Sequence, residues 1–431
     1  MSSENRSSEI TPVVYQRDSH PISRRDIDPD ALRIMYRLIG SGFKAYLVGG
    51  AVRDIVLGKK PKDFDVSTDA TPRQIRALFR NCRIIGRRFK LAHIFFPDGK
   101  IVETSTFRDL NDSADPDEER PRFGPQVARD NRYGTEETDA IRRDLTINGL
   151  FYDPSSFSII DYVGGMNDLR AGIVRIIGNP DERINDDPVR MLRAIRHAVR
   201  NHFTIEESCR DSIIKNASLI RECAPARIYE EFKRDLNSGH FCEVLIDLAR
   251  HQILDQFLPE LVRKDGSTFM DNPYLCDALR RGDELFLSSS TASATPLLAT
   301  IALFATAGVD RKDQLADAFQ HESDLCQRLE KCFRSLAVPR REKGNIENLL
   351  CLWYRLATSV PSPLRPANLM RHPEYQNLLT LLEMLNIESL NSTLFKLLKL
   401  AESAPAQRTG GRNNRHRRRP RRPSRAQTKE S

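Results

Sequence analysis

The sequence predicts an α+β N-terminal domain on a small mixed sheet, followed by an all-α C-terminal half and a disordered basic tail. Three observations lead there. Short strand-type apolar runs alternate with helical patterns over the first third of the chain. From about residue 180, apolar residues recur almost entirely at helical spacing. The last residues carry almost no apolar content and cannot offset the entropy of folding alone. The resulting division is a flexible N-terminus at 1–25, an α+β domain at 26–165, a helical segment at 166–240, an all-helical body at 241–403 and a tail at 404–431.

In order along the chain, Leu32, Met35, Tyr36 and Ile39 recur at helical spacing, and Gly40 and Gly42 sit where such a helix stops. Tyr46, Leu47 and Val48 form a buried-type strand running into Gly49-Gly50. Phe64 and Val66 alternate with aspartates, a period-two pattern that puts Asp63 and Asp65 on one face. Further strands are expected at 94–96, 101–107 and 157–162. Residues 109–140 are polar, carry three prolines and show no apolar period, so a long loop is expected there, functional or disordered. Helical runs follow in PVRMLRAIRHAV, ARIYEEFKRDL, FCEVLIDLARHQILDQFL and LFKLLKLAES, and Trp353 and Tyr354 read as core.

Charge is unevenly spread. From Arg408 onward there are nine Arg and one Lys against one Glu, more than the +8 of the whole chain, so the preceding residues are close to neutral. A detached basic arm of this kind suits a polyanion. No run is apolar enough for a transmembrane helix, and MSSENRSSEITP lacks the apolar core of a signal peptide. The eight cysteines have no CxxC spacing, so they read as reduced thiols in a cytoplasmic protein without a zinc site.

The chemistry concentrates in LVGGAVRD (47–54) and KDFDV (62–66). Two neighbouring carboxylates remain ionised at neutral pH only if a cation offsets their repulsion. Magnesium (Mg²⁺) accepts a few carboxylates and keeps positions for water and phosphate oxygens, and two such ions can clamp an in-line phosphoryl displacement. Glycines 49 and 50, between a strand and a helix start, let backbone amides approach phosphate, and Arg53 lies within reach. Either half alone reads equally as a solvated edge strand or an ordinary turn; the combination is the specific signal.

LVGGAVRD followed by DFDV resembles the polymerase-β-type nucleotidyltransferase superfamily, in the branch that contains class II tRNA CCA-adding enzymes and bacterial poly(A) polymerases. The resemblance covers about residues 45–240. It implies a nucleotidyltransferase head at 26–165, a nucleotide-recognition neck at 166–240 and an RNA-binding body. IRRDLTINGLFYD (141–153) is similar to that branch's RRDxTxN element, implying that Arg143 holds phosphate or ribose, that Asp144 is a functional carboxylate and that Asn148 orients the loop; Asp144 reads equally as a helix cap. The third carboxylate implied for the superfamily is Glu103 or Asp144, and spacing does not decide between them. INDDPVRMLRAIR (184–196) resembles the EDxxRxxR element, with Asp186 in place of the usual Glu. Asp187, Arg190 and Arg193 are expected on one helical face, where the resemblance has Asp187 and Arg190 read the edge of the incoming base. The Gly-Gly of DYVGG is expected to be a structural turn.

RNCRIIGRRFKLAHIFF (80–96) and KKPKDFDVSTDATP (59–72) look most like the poly(A) polymerases, and Arg83, Arg87, Arg88 and Lys90 form a basic patch suited to phosphate. The implied activity is template-independent transfer of AMP from ATP to RNA 3′ ends, with RNA-decay machinery as an expected partner and no membrane. The alternatives are a tRNA CCA- or A-adding enzyme and a non-catalytic RNA-binding protein. Sequence-blind attraction by the tail serves many different 3′ ends, because each neutralised phosphate releases counterions. Deleting residues 408–431 is expected to weaken RNA binding and flatten its salt dependence without abolishing transfer, measured by filter binding across a salt series.

Overall fold

The computed structural model of the protein describes residues 10–86, 90–109, 133–261, 269–288, 293–309, 311–334, 336–358, 369–387 and 390. The expected tail, the helix at 394–403, residues 110–132 of the long loop and the patch residues Arg87 and Arg88 lie outside them.

One mixed sheet organises the first part. Its strands are β1 (Val13–Tyr15), β2 (Ala45–Val48), β3 (Asp65–Thr68), β4 (Cys82–Ile85), β5 (Leu91–Phe95), β6 (Ile101–Thr106), β7 (Leu150–Asp153) and β8 (Ser158–Asp161). They run in the order β1-β8-β7-β2-β3-β6-β5-β4. All neighbours are antiparallel except β3 and β6. With eight strands the sheet is larger than expected. β7 escaped the period-two test because it is buried on both faces, which removes alternation from its sequence. β1 lies within the stretch expected to be loose. It adds an edge strand to β8, and Ile22 behind it is fully buried, so residues 13–25 belong to the fold.

Helices pack on the sheet. α1 (Pro29–Gly40) is capped by Asp28, whose carboxylate accepts from the amides of Asp30 and Ala31, with Pro29 in the first turn. Its buried face is Ala31, Ile34, Met35 and Leu38, while Tyr36 of the apolar period is exposed. α2 (Gly50–Val56) and α3 (Pro72–Leu78) follow. Inside the expected loop, α4 (Glu136–Arg142) forms instead of irregular chain. Thr135 caps it, and Glu136 meets the Lys44 ammonium at 2.7 Å and accepts from the Tyr46 hydroxyl at 3.0 Å. These are polar anchors, which an apolar-period search cannot detect.

The chain then leaves the sheet through α5 (Gly165–Ala171), β9 (Ile173–Val174), α6 (Pro180–Asp186), α7 (Val189–Asn201), β10 (Thr204–Ile205), α8 (Glu207–Lys215) and α9 (Pro225–Leu236). The glycine turn before α5 is structural: the Asp161 carboxylate accepts from the amides of Val163, Gly164, Gly165 and Met166. The remainder is helical: α10 (Phe241–Arg250), α11 (Leu254–Phe257), α12 (Pro273–Ser288), α13 (Thr295–Ala307), α14 (Glu322–Lys331), α15 (Arg340–Thr358) and α16 (Tyr375–Leu385). Trp353 is fully buried in this half and Tyr354 nearly so.

α7 and α9 are joined by charge as well as packing. The Arg196 guanidinium donates to Glu231 Oε2 at 2.6 Å and to the Glu231 carbonyl at 2.9 Å, and it also bonds Asp235; all three side chains are buried. Removing one member of such a group strands buried charge. Arg196→Met is expected to destabilise the protein by about 3–5 kcal/mol, read as a lower midpoint in urea unfolding.

Candidate active site

The glycine turn and the carboxylates meet at the ends of β2, β3 and β6. β2 stops at Val48, whose partner across the ladder is Asp65. Gly49 follows with φ +69°, a conformation that L side chains rarely adopt, and a Cβ there would lie 3.3 Å from Arg143 Nη1. Gly50 opens α2. β3 and β6 are parallel with Val66 opposite Thr104, so Asp65 and Glu103 are level neighbours. Both line a cleft of about 500 Å³. Asp65 is exposed to solvent at the end of the strand, while the cleft walls crowd its carboxylate. Desolvation pushes its pKa up to about 6, Glu103 and Asp63 add to the rise, and Arg143 opposes it. Glu103 also faces His93 of β5 at 3.4 Å.

Asp63 departs from the expected geometry. Only Asp65 is on the strand, because β2 ends opposite it and leaves residues 63 and 64 no ladder to join. Asp63 instead borders a second cavity of about 530 Å³, with Lys62, Arg200, Lys233 and Arg234. Gly50, Asn148 and Arg193 line both cavities, so the two spaces adjoin beside the carboxylates.

Arg143 lines the first cleft. Its Nη2 donates to Asp139 at 2.8 Å and to the Ser67 hydroxyl at 3.3 Å, and its guanidinium lies over the Phe151 ring. Asp144 is buried and faces Arg193 Nη2 at 2.9 Å. Burial pushes its pKa up, but Arg193, the Leu145 amide and Asn148 outweigh burial and hold it below the usual carboxylate range. Asp144 caps no helix; its carboxylate accepts from the Leu145 amide one residue on. Arg53 also differs from expectation. It is buried, with its guanidinium engaged by Asp54, by the Asn148 side-chain carbonyl at 2.6 Å and by His197 Nδ1 at 3.3 Å.

Asp187, Arg190 and Arg193 all line the first cleft, but not from one helix. Asp187 ends α6 in extended conformation (φ −154°) and α7 starts at Val189. Pro188 is the cause, since the residue before proline is excluded from the α region. The Asp187 carboxylate accepts from Arg227 Nη2 of α9 at 2.6 Å. Arg190 bonds the Arg183 carbonyl. Sequence reasoning missed Arg227, Arg183 and Asp139, because each meets the site through a partner distant in sequence or on another element. Arg83 of the basic patch lies over the Phe95 ring, away from this cleft.

Residues 45–175 match the family described as Poly A polymerase head domain, and residues 202–264 match the Probable RNA and SrmB- binding site of polymerase A. Poly(A) polymerase I of Salmonella typhi is 37% identical over 380 residues, covering 86% of this chain and 81% of that protein. The Escherichia coli O157:H7 Poly(A) polymerase I is 38% identical over 385 residues, with the same coverage. The chain belongs to the poly(A) polymerase I family. It is therefore an enzyme, a nucleotidyltransferase of the poly(A) polymerase kind. The CCA-adding enzyme of Bacillus pumilus is 34% identical over 252 residues, 58% of this chain and 60% of that one. Among solved structures, a tRNA-processing enzyme (apo form I) superposes with TM-score 0.62 at 21% identity over 90% of this chain and 94% of that chain. A tRNA nucleotidyltransferase complexed with a primer tRNA and an incoming ATP analog gives 0.59 at 21% identity, over 86% and 98%. At those identities the likeness shows the shared fold: a mixed-sheet head followed by helices.

The site of this family member has the donor set for a hydrated divalent cation. Desolvation first, then the charges of Glu103 and Asp63, disfavour the ionised Asp65, and a cation would relieve that cost. Magnesium held by so few carboxylates would keep water or substrate oxygens as its remaining ligands. Gly49→Ala combines an unfavourable φ with pressure on Arg143. It is expected to cost about 1–3 kcal/mol in stability and to raise KM for the nucleotide, checked by thermal unfolding and steady-state kinetics.

Proposed function

We propose that this enzyme transfers AMP from ATP to RNA 3′-hydroxyl ends without a template, releasing pyrophosphate. The observation that carries the reading is the pair of adjoining cavities with Asp65 lining one and Asp63 the other. The first, with arginines 143, 190 and 193 opposite two carboxylates, suits a nucleoside triphosphate. The second, rich in Arg and Lys, suits an RNA end. In-line displacement needs the attacking and leaving oxygens on opposite sides of phosphorus, and two cavities meeting at the carboxylates allow that.

In this reading the RNA 3′-oxygen bonds the α-phosphorus as the bond to pyrophosphate breaks. Arg143 and the Gly49-Gly50 backbone position the phosphates, and Asp187 with Arg190 reads the adenine edge, guanidinium donors and carboxylate acceptors serving in place of a template. Arg193 borders both spaces. Asp63 and Asp65 would hold magnesium, and when bound it would supply a Lewis acid that lowers the pKa of the attacking hydroxyl and offsets charge on the leaving group. Glu103 is the better third carboxylate, because it lies level with Asp65 while Asp144 is committed to Arg193. Arg53 acts through Asn148 and His197 rather than on phosphate. The division into a head ending at about residue 165, which takes in β1, a neck (166–240) and a body (241–403), a cytoplasmic location and association with RNA-decay machinery complete the proposal. For location, the support is eight free thiols and, among the described residues, no helix long and apolar enough to cross a membrane.

CCA addition is the second reading, favoured by the similarity to CCA-adding enzymes. With magnesium present, ATP and CTP are offered separately to an oligo(A) primer and to a tRNA lacking its CCA end. Long tails from ATP on oligo(A) are expected; incorporation confined to tRNA, with CTP used, would replace the proposal with CCA addition. Asp65→Ala is expected to abolish transfer while RNA binding and the unfolding midpoint stay close to the parent. Full activity in that variant would remove Asp65 from the metal site.

A further inference from the structure

Arg183 lies on α6, outside every motif that marks the site, yet it is bonded at both ends. Its Nη2 donates to the carbonyls of Arg142 and Arg143 at 2.7 Å each and approaches that of Ile141 at 3.5 Å. These carbonyls close α4, where the last residues of a helix leave C=O groups without partners and a cation is favoured by the dipole. The backbone carbonyl of Arg183 accepts the Arg190 guanidinium. That same carbonyl takes the Asp187 amide at 3.2 Å, closing α6. The side-chain stem passes beside Gly178, which turns the chain with φ +82°.

One residue therefore touches both halves of the nucleotide site. On the head side it fixes the backbone of Arg143, the cleft's phosphate-facing arginine. On the neck side it fixes Arg190 and the Asp187 cap, the base-facing pair. Other ties across this junction include the Asp144–Arg193 ion pair, the Ile177 amide bonded to the Asp144 carbonyl at 3.1 Å, the Leu145–Ile176 bridge, and Thr146, whose amide bonds the Arg175 carbonyl at 3.0 Å and whose hydroxyl donates to Asp168 at 2.6 Å. Those hold residues 144 to 146; Arg183 holds 142 and 143.

We infer that Arg183 is a positioning residue that couples base recognition to phosphate alignment, so that a correctly held adenine sets the triphosphate for attack. This rests on the nucleotide-site assignment proposed above. Its consequence is selective. Without the Arg183 side chain, Arg190 keeps its carbonyl partner but the Arg143 backbone is released, and adenine contacts no longer align the phosphates. ATP then loses its advantage, whereas CTP, which has little base-derived alignment to lose, changes little.

The test compares the full-length parent with Arg183→Met, which keeps the apolar stem, and Arg183→Lys, which keeps the cation but lacks the planar fork. Incorporation on an oligo(A) primer is measured with ATP and with CTP, alongside thermal unfolding. For Arg183→Met, kcat for ATP is expected to fall about tenfold or more, and the ATP-over-CTP ratio of kcat/KM to fall with it. Arg183→Lys is expected to recover part of both. Equal losses for ATP and CTP that follow a lowered unfolding midpoint would overturn the inference in favour of simple support of the fold. So would parental kinetics in both variants. If Arg183→Met does not fold, the ATP-over-CTP ratio of Arg183→Lys decides alone. A parent enzyme inactive with ATP and CTP would instead count against the proposed function.

Discussion

The Asp144–Arg193 ion pair is the constraint on which the site's architecture depends. It joins the segment after α4 to the first turns of α7, and the Asp144 side chain is almost sealed from solvent. A buried carboxylate is tolerated because its charge is met, and removing Arg193, which itself reaches solvent, would leave the Asp144 charge uncompensated in a low-dielectric setting. The pair also fixes what is adjacent. Asn148 touches Asp144 on one side and accepts from Arg53 on the other, and Arg53 reaches His197 of α7. Burial first, then the arginines around it, keep His197 far below its ordinary pKa, so the ring is neutral and its Nδ1 can accept from Arg53. The glycine turn, the segment 144–148 and α7 are thus fastened through a closed set of polar contacts.

Around that fastening the cleft holds both signs of charge. Asp65 and Glu103 stand on the sheet side; Arg190, Arg193 and Arg227 come from the helices beside Asp187, and Arg143 comes from the segment after α4. A metal-bound triphosphate carries both signs, so each wall meets its complement, and the open sheet wall leaves coordination positions for substrate oxygens. The helical wall is restrained: Arg190 by the Arg183 carbonyl, Arg193 by Asp144, and Asp187 by Arg227. Groups already held need little reorganisation when substrate arrives, which is how fixed dipoles and charges contribute most to transfer.

Several of the cleft's residues were legible in the sequence. LVGGAVRD and DFDV marked the turn and the carboxylates, and RRDLTIN and DDPVRMLR brought Arg143, Asp144, Asn148, Asp187, Arg190 and Arg193 into view, while Asp139 and Arg227 escaped. The helical half was legible too, because apolar residues at three- and four-residue spacing report burial directly, as the buried Trp353 and Tyr354 bear out. What escaped was of two kinds. β1 and β7 are too short, or too uniformly apolar, to show a period. α4 is held by Thr135, Lys44 and Tyr46, which are polar contacts invisible to an apolar pattern.

By itself, then, the sequence determined which residue types reach the cleft and that the chain turns helical after the sheet. Both follow from short-range spacing, where a turn or a period fixes neighbours within one element. Only the tertiary structure decided the partners. Asp63 falls off the strand because β2 ends early, and Asp187 leaves its helix because packing and Pro188 turn the chain there. Arg53 is taken up by Asn148 and His197, and Glu103, not Asp144, comes level with Asp65. Each of these depends on which elements are brought side by side, and contacts between residues far apart in sequence leave no periodic trace in either segment alone.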